Sequence, residues 1–429
     1  MRPALSHRPA VESNLNGGFF VQKQAKGAEE TKAEEIKSRE WNQEKRWNPF
    51  NSYKLLSQVY RWEGIKRGRD IPQPALITID PSNVCNLNCA WCNAEVVRKE
   101  RGGMLSEKAL LAIADFLPRW GEKNPFISPG VEAVCIAGGG EPLLNPATPA
   151  FIDRLAQHKI HIGLVSNGTR VNHCIDALSQ CDWVGASIDA GSAATFNKLK
   201  GLPDNTPLFD TIITNLSNLI DYSKRHNSTL GSRNPAYGVS YKYLLYKENI
   251  GEIYQAAKLA KEIGCKNIHI RPAGTTWDKI GTDEEIRFNK EDIQTFNEQI
   301  EQALSLDDNS FNVYGVTHKF DSQFNPSNCF ERCHAIFMTA AIMPPIGKDA
   351  PKDAFTLGLC CDRRGDQKLE LARNLEDVEQ INKLWGNDAH WKIFDSIDVE
   401  KECPRCTYQP HNQIYENVIL KDSMTHRFI

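Results

Sequence analysis

The chain has 429 residues, with 41% hydrophobic and 24% charged residues, 51 Lys and Arg against 54 Asp and Glu, and a net charge of -3. That length exceeds one average domain, and the balance is that of an ordinary globular protein; it gives no electrostatic ground for nucleic acid or a lipid surface as a partner. No apolar run approaches the roughly 18–20 residues of a membrane span, and the opening MRPALSHRPAVESNLNGG lacks the apolar core of a secretion signal, so a cytoplasmic location is expected.

Residues 1–45 are polar and charged and read as a flexible arm, with a helix near 29–45. Aromatic and apolar residues return over 46–74, which reads as a docking helix (47–62) and a linker through Pro72 and Pro74. Strands are then expected over 76–80, 132–137, 161–165, 183–189, 237–245 and 267–271. Helices are expected between them over 106–120, 147–158, 171–179, 208–225 and 252–263, and Ser106 and Ser192 have the character of N-caps. Such alternation argues for a parallel sheet with right-handed crossovers. The fold class is therefore α/β: a partial (β/α)6 TIM-like barrel over 75–309, with functional residues at the C-terminal ends of its strands. The rhythm breaks after Ala273. A helix over 290–304 and a strand over 311–318 lead into a small α+β domain over 310–429 that carries a late group of cysteines.

Thirteen cysteines are many for a cytosolic chain, where disulfides are rare. Seven of them fall into two groups: Cys85, Cys89 and Cys92, and later Cys333, Cys360 or Cys361, Cys403 and Cys406. The early CxxxCxxC follows the first strand. Three thiolates on one loop can hold three irons of a cubane cluster and leave the fourth open to a small molecule. A zinc loop, a disulfide or incidental cysteines are the alternatives, although a zinc site usually wants two CxxC pairs or nearby histidines. The second strand ends in Ala137-Gly-Gly-Gly-Glu141-Pro142. Its glycines let the backbone approach a ligand closely, or simply form a turn that caps the next helix. The third strand ends in Ser166-Asn167-Gly168-Thr169 and the fourth in Ser187-Ile188-Asp189, and either of these alone reads as a turn or a cap.

Together these motifs resemble the radical S-adenosylmethionine (SAM) superfamily over about residues 75–275, with Trp91 at the aromatic position of its cysteine motif. The resemblance implies that Cys85, Cys89 and Cys92 hold a 4Fe–4S cluster whose fourth iron takes the amino and carboxylate groups of SAM. Gly139, Gly140 and Glu141, with Pro142, would then face the methionyl amine. Ser187 and Asp189 would face the ribose or carboxylate, Asn167 would stand at the same rim, and Trp91 and Asn93 would lie near the adenine. Arg271, ending the sixth strand, would pair with the SAM carboxylate or a substrate anion; a surface arginine is the alternative. Lys242 and Tyr243 are candidates for substrate contact whose faces the sequence leaves open.

Spacing alone favours zinc for the late group. Behind a radical SAM barrel, however, it resembles a "twitch" auxiliary domain, a shortened relative of SPASM. A hairpin over 337–343 and 355–359 and a helix over 377–385 would hold a second 4Fe–4S cluster on Cys333, Cys360, Cys403 and Cys406. Cys361 could replace Cys360, and Cys329 could replace Cys333. The expected activity is hydrogen abstraction from a small polar substrate (sugar-, aminosugar- or nucleotide-like), leading to dehydrogenation or epimerisation, with flavodoxin or ferredoxin as reductant. Epimerisation needs a donor thiol, for which Cys329, Cys361, Cys135 and Cys265 are candidates. The alternatives are a maturase acting on a ribosomally made peptide and a zinc-stabilised binding protein.

Overall fold

The computed structural model describes residues 57–420 apart from Asn93, 101–102, 233–236, 275–278, 280, 316–329 and 404–405. The expected arm, the first part of the docking helix and Cys329 lie outside the described residues.

Among the described residues the strands are β1 (Leu76–Ile79), β2 (Ala133–Ile136), β3 (His161–Ser166), β4 (Trp183–Ser187), β5 (Gly238–Leu245), β6 (Asn267–Pro272), β7 (Asn312–Gly315), β8 (Thr339–Met343), β9 (Phe355–Gly358) and β10 (Glu370–Leu375). β1 to β6 pair in parallel in chain order, as the βα alternation predicts, and β7 adds a parallel strand beyond β6. At the other edge β8 pairs in parallel with β1, Leu76 beside Thr339, and β9 and β10 follow it antiparallel. The tail hairpin thus continues the barrel's own sheet.

The pleat divides this sheet into two faces. Ile77, Ile79, Val134, Ile136, Leu164, Val184, Tyr241 and Ile268 are buried in the main core with the crossover helices. Their neighbours Thr78, Cys135, Gly163, Trp183, Gly185, Ser187, Lys242 and His269 lie on the opposite, inner face. Each fully buried Ile or Val of the outer face contributes roughly 1.5–3 kcal/mol. That is why the parallel strands are so rich in these residues.

Ser106 caps Glu107–Phe116 by accepting from the Ala109 amide, and Ser192 caps Ala193–Lys200 by accepting from the Thr195 amide. Asn289 and Asp292 form a reciprocal capping box at the start of Lys290–Leu304. The expected helix at 171–179 is broken into a 3-10 turn, Val171–His173, and a short helix, Ile175–Ser179. The one at 377–385 shrinks to Gln380–Leu384. A helix not expected from the sequence, Glu95–Glu100, begins just after the third motif cysteine. The helix Val59–Arg67 docks on the body: Trp62 meets Tyr415 edge-on at 5.7 Å, and Arg61 pairs with Glu132 at 2.6 Å. No helix among the described residues is long and apolar enough to cross a membrane.

Candidate active site

The loop carrying Cys85, Cys89 and Cys92 leaves the C-terminal end of β1 and is braced on three sides. On the first, the Gly140 amide donates to the Ser82 carbonyl at 2.9 Å and the Glu141 amide to the Val84 carbonyl at 2.8 Å. A β-carbon on Gly140 would stand 2.2 Å from the Val84 oxygen, and one on Gly139 would stand 2.4 Å from Asn83 Oδ1. The glycine run is needed here because the cysteine loop's own backbone passes in contact with it. On the second side, the end of helix Ala193–Lys200 meets the loop: the Asn88 amide donates to the Lys200 carbonyl at 3.1 Å and the Ala90 amide to that of Leu199 at 3.0 Å. On the third, Asn167 Nδ2 donates to Asn86 Oδ1 at 2.8 Å, while Asn86 Nδ2 donates to Thr169 Oγ1 at 3.0 Å. This ties the loop to the end of β3.

The three thiols are half-buried and feel one another's charge. Burial raises the Cys85 and Cys89 thiols above the ordinary value, Cys92 adds to that in both, and Lys200 opposes it at Cys89. Two cations that the sequence reading missed serve this trio. Arg98 points Nη1 at Cys92 Sγ at 3.5 Å; burial works against its charge, yet the hydrogen bond to Cys92 and the field of the three thiols raise it overall. Lys200 is fully enclosed, 2.5 Å from Asp189 Oδ2, and lies over the Trp91 ring at 5.5 Å. Neither residue belongs to a recognisable motif; Lys200 reads only as a basic residue ending a helix.

The donor set fits a cubane: soft thiols on one loop suit iron–sulfur ligation, and two cations offset the charge the thiolates would bring. Among the described residues no three His, Cys, Asp or Glu side chains are gathered tightly enough to hold a single metal ion. A cubane instead holds its thiolates apart, at separate corners.

The carboxylates of the rim make internal bonds. Glu141 is 2% exposed and accepts from Ser166 Oγ at 2.8 Å and from the amides of Asn167 at 2.7 Å and Leu143 at 3.0 Å. Burial raises its carboxyl, and those bonds partly offset the effect. Asp189, with φ at +62°, accepts from Lys200 and from the Leu244 amide at 2.6 Å. Pro142 opens the 3-10 turn Pro142–Leu144. Trp91 is 9% exposed, lies 5.2 Å from Tyr246, and packs with Leu199 and Ala273. Asn93 lies outside the described residues.

Ser187, Lys242 and His269 stand side by side across β4, β5 and β6, and Leu244 pairs with Arg271. Lys242 therefore faces inward, with Nζ 5.4 Å from the Trp183 ring centroid. Tyr243 faces outward and donates to the Asn249 carbonyl at 2.6 Å.

In the tail, burial holds the Cys406 thiol well above its ordinary value, with Cys333, Cys360 and Cys403 adding to the effect. These four thiols thus share one field. Cys361 turns the other way: it lies 2.9 Å from the Tyr408 hydroxyl and feels Arg364 and Asp80. Both cysteines lie in the irregular segment that follows β9, where Cys360 keeps to the side of Cys333 and Cys406 while Cys361 meets Tyr408. Tyr408 and Arg364 carried no signal in the sequence.

A family model described as the radical SAM superfamily matches residues 79–278. Among solved structures, SuiB of Streptococcus suis bound to S-adenosylmethionine is 14% identical with a TM-score of 0.55, covering 86% of this chain and 79% of its own. SuiB bound to its precursor peptide SuiA is 15% identical at a TM-score of 0.55, covering 96% and 82%. His-tagged anSMEcpe with bound AdoMet is 14% identical at 0.50, covering 83% and 96%. At such identities the likeness concerns the fold. No curated protein matches the sequence. The matched region holds the cysteine loop, the glycine turn braced against it and the rim of β1 to β6, so it is over this domain that the chain is similar to the radical SAM superfamily.

Proposed function

We propose that this radical SAM enzyme abstracts hydrogen from a small polar substrate, sugar-, aminosugar- or nucleotide-like, in a dehydrogenation or an epimerisation. The observation that carries this reading is the braced Cys85–Cys89–Cys92 loop, with Arg98 and Lys200 supplying compensating charge. Cys85, Cys89 and Cys92 would hold the catalytic 4Fe–4S cluster, and Cys333, Cys360, Cys403 and Cys406 a second one. Bound there, the first cluster together with SAM would supply the one-electron chemistry that hydrogen abstraction requires.

The chain's own residues position and enclose. Gly139 and Gly140 keep the cysteine loop close to the rim, Asn167 orients Asn86 beside Cys85, and Trp91 with Tyr246 walls one side against water. Ser187 presents its hydroxyl on the inner face, and Arg271 offers a guanidinium for the carboxylate of SAM or for a substrate anion. A flavodoxin or ferredoxin would deliver the electron.

A second reading, a maturase acting on a ribosomally made peptide, draws on the fold shared with SuiB over 96% of this chain in the structure that holds SuiA. Anaerobic purification followed by iron and sulfide analysis tests both cluster assignments, since two clusters predict about eight irons per chain. Cys89→Ala should abolish reductive SAM cleavage and Cys403→Ala should spare it. Zinc with little iron would overturn the radical assignment of the loop. Deuterium transfer from labelled sugars, sugar nucleotides or peptides into 5′-deoxyadenosine would separate the two substrate readings.

A further inference from the structure

Arg98 reaches the cysteine loop from the helix that follows it. Glu95–Glu100 starts shortly after Cys92 and is tied to it: the Glu95 amide donates to the Cys92 carbonyl at 3.3 Å, and the Arg98 amide donates to that of Ala94 at 2.9 Å. A helix this short does not stand alone. It is held by the burial of Ala94 and Val97, and a β-carbon on Gly139 would stand 2.8 Å from Val97 Cγ1. Side chains on a helix lean toward its N-terminus. Arg98 therefore runs back over the turn that leaves Cys92 and brings Nη1 to 3.5 Å from its sulfur.

The two cations near the loop act differently. The Lys200 ammonium donates to Asp189 Oδ2 at 2.5 Å and to the Ser187 carbonyl at 3.0 Å, so it meets the loop as half of an ion pair. Arg98 donates directly to the sulfur of a candidate cluster ligand. A guanidinium stays protonated at every working pH and has donors only, and hydrogen bonds to the sulfurs are among the levers that set an iron–sulfur potential. An N–H···S bond from a cation strengthens as the sulfur gains electron density, so it favours the reduced cluster over the oxidised one. The effect comes from the bond itself and does not depend on the sum of the charges around the loop.

We propose that Arg98, acting through Cys92, raises the reduction potential of the cluster on the loop and so sets how readily that cluster takes up its electron. Arg98 is a positioning residue in this role: it touches the sulfur of a ligand and no reacting atom. The inference rests on the reading that Cys85, Cys89 and Cys92 hold a 4Fe–4S cluster, and it adds to that reading a residue outside the motif. The step concerned is the uptake of one electron from the flavodoxin or ferredoxin, with no bond made or broken at Arg98.

The test uses the full chain, reconstituted with iron and sulfide under anaerobic conditions and followed by electron paramagnetic resonance through a redox titration. Added SAM marks the signal of the loop cluster. Arg98→Met removes charge and donor together. It should cut the ratio of reduced to oxidised cluster at a fixed applied potential by about tenfold, the scale of one charged hydrogen bond, which is a midpoint lower by about 59 mV for one electron. Arg98→Lys keeps the charge and loses the planar fork, and should cut the ratio by less, about threefold. Iron per chain and SAM affinity should stay at the wild-type level in both. If Arg98→Met fails to hold iron, Arg98→Lys reads the same bond, and an unchanged midpoint there overturns the proposal. So does an unchanged or raised midpoint in Arg98→Met, or a loss of SAM affinity with the midpoint unaltered, which would assign the guanidinium to SAM. A wild-type chain that assembles no cluster on the loop refutes the functional reading beneath this inference; an assembled cluster whose midpoint ignores both substitutions refutes the inference alone.

Discussion

Arg364 in the tail donates to Asp80 at the end of β1 through Nε at 2.5 Å and Nη2 at 3.2 Å, and Asp80 is wholly enclosed. Nη1 of the same guanidinium donates to the Cys361 carbonyl at 2.5 Å. One arginine thus joins the root of the first cysteine loop to the segment after β9 that carries Cys360 and Cys361. Removing one partner of a buried pair leaves a charge with no compensation, at a cost of about 3–5 kcal/mol. Arg364→Leu should therefore lose stability on that scale in guanidinium unfolding followed by circular dichroism. Asp80→Asn combined with Arg364→Gln should lose less than the single change. A loss below about 1 kcal/mol for Arg364→Leu would show the pair to be dispensable.

Gly140 is the tightest point of the site. An alanine there would place its methyl 2.2 Å from the Val84 oxygen and 2.5 Å from its carbonyl carbon, both backbone atoms that cannot swing aside. The segment Ser82–Val84 would have to shift, and Cys85 with it. Gly140→Ala should cost about 1–3 kcal/mol and lower the iron retained after reconstitution, while Gly251→Ala, where nothing stands within 4 Å, should leave iron content unchanged. Equal iron in the two variants would argue against the glycine's bracing role.

Cys360 and Cys361 should behave differently although they are neighbours. Cys360 shares the field of Cys333 and Cys406, whereas Cys361 meets Tyr408 and Arg364. Cys360→Ser should reduce iron by about four per chain if the four tail thiols hold a cubane, and Cys361→Ser should retain it. Iron and sulfide assays on anaerobically reconstituted protein distinguish the two; the reverse pattern would exchange the assignment.

His390 gives the tail a pH response. It is fully buried, accepts from the Gly386 amide at 3.1 Å and bonds the Ile336 carbonyl at 3.1 Å. Burial pushes its imidazole down to about 3 from an ordinary 6.5. The folded chain therefore holds it neutral while the unfolded chain protonates it. Its contribution is fully present above pH 6.5 and declines as pH falls toward 3, by about 1.4 kcal/mol per unit. Unfolding free energies at pH 7, 5.5 and 4.5 should show that slope, and His390→Phe should flatten it by one proton. An unchanged slope would show that another group is responsible.

Much of the barrel was legible because parallel strands advertise themselves. Runs such as Leu76–Ile79 and Ala133–Ile136 have to bury one face under helices, and the Ser106 and Ser192 caps mark helix starts. The Cys85, Cys89 and Cys92 spacing and the glycine turn were legible for a similar reason, since both depend on residues close in sequence. The roles of Arg98 and Lys200 were hidden. An arginine six residues past a cysteine and a lysine ending a remote helix become its neighbours only after folding.

What the sequence determined by itself was local: which segments become strands and helices, where helices begin, and which three thiols share a loop. These follow from side-chain periodicity and backbone freedom, which act over a few residues. Tertiary structure decided everything that depends on which face of a strand is turned where. It set Lys242 inward and Tyr243 outward, gave Cys360 and Cys361 different neighbours, and committed Glu141 and Asp189 to internal bonds. It also laid β8 beside β1, with Leu76 against Thr339. Pairing of that kind is settled by burial and hydrogen bonding across the whole sheet, and neither strand carries a residue that names its partner.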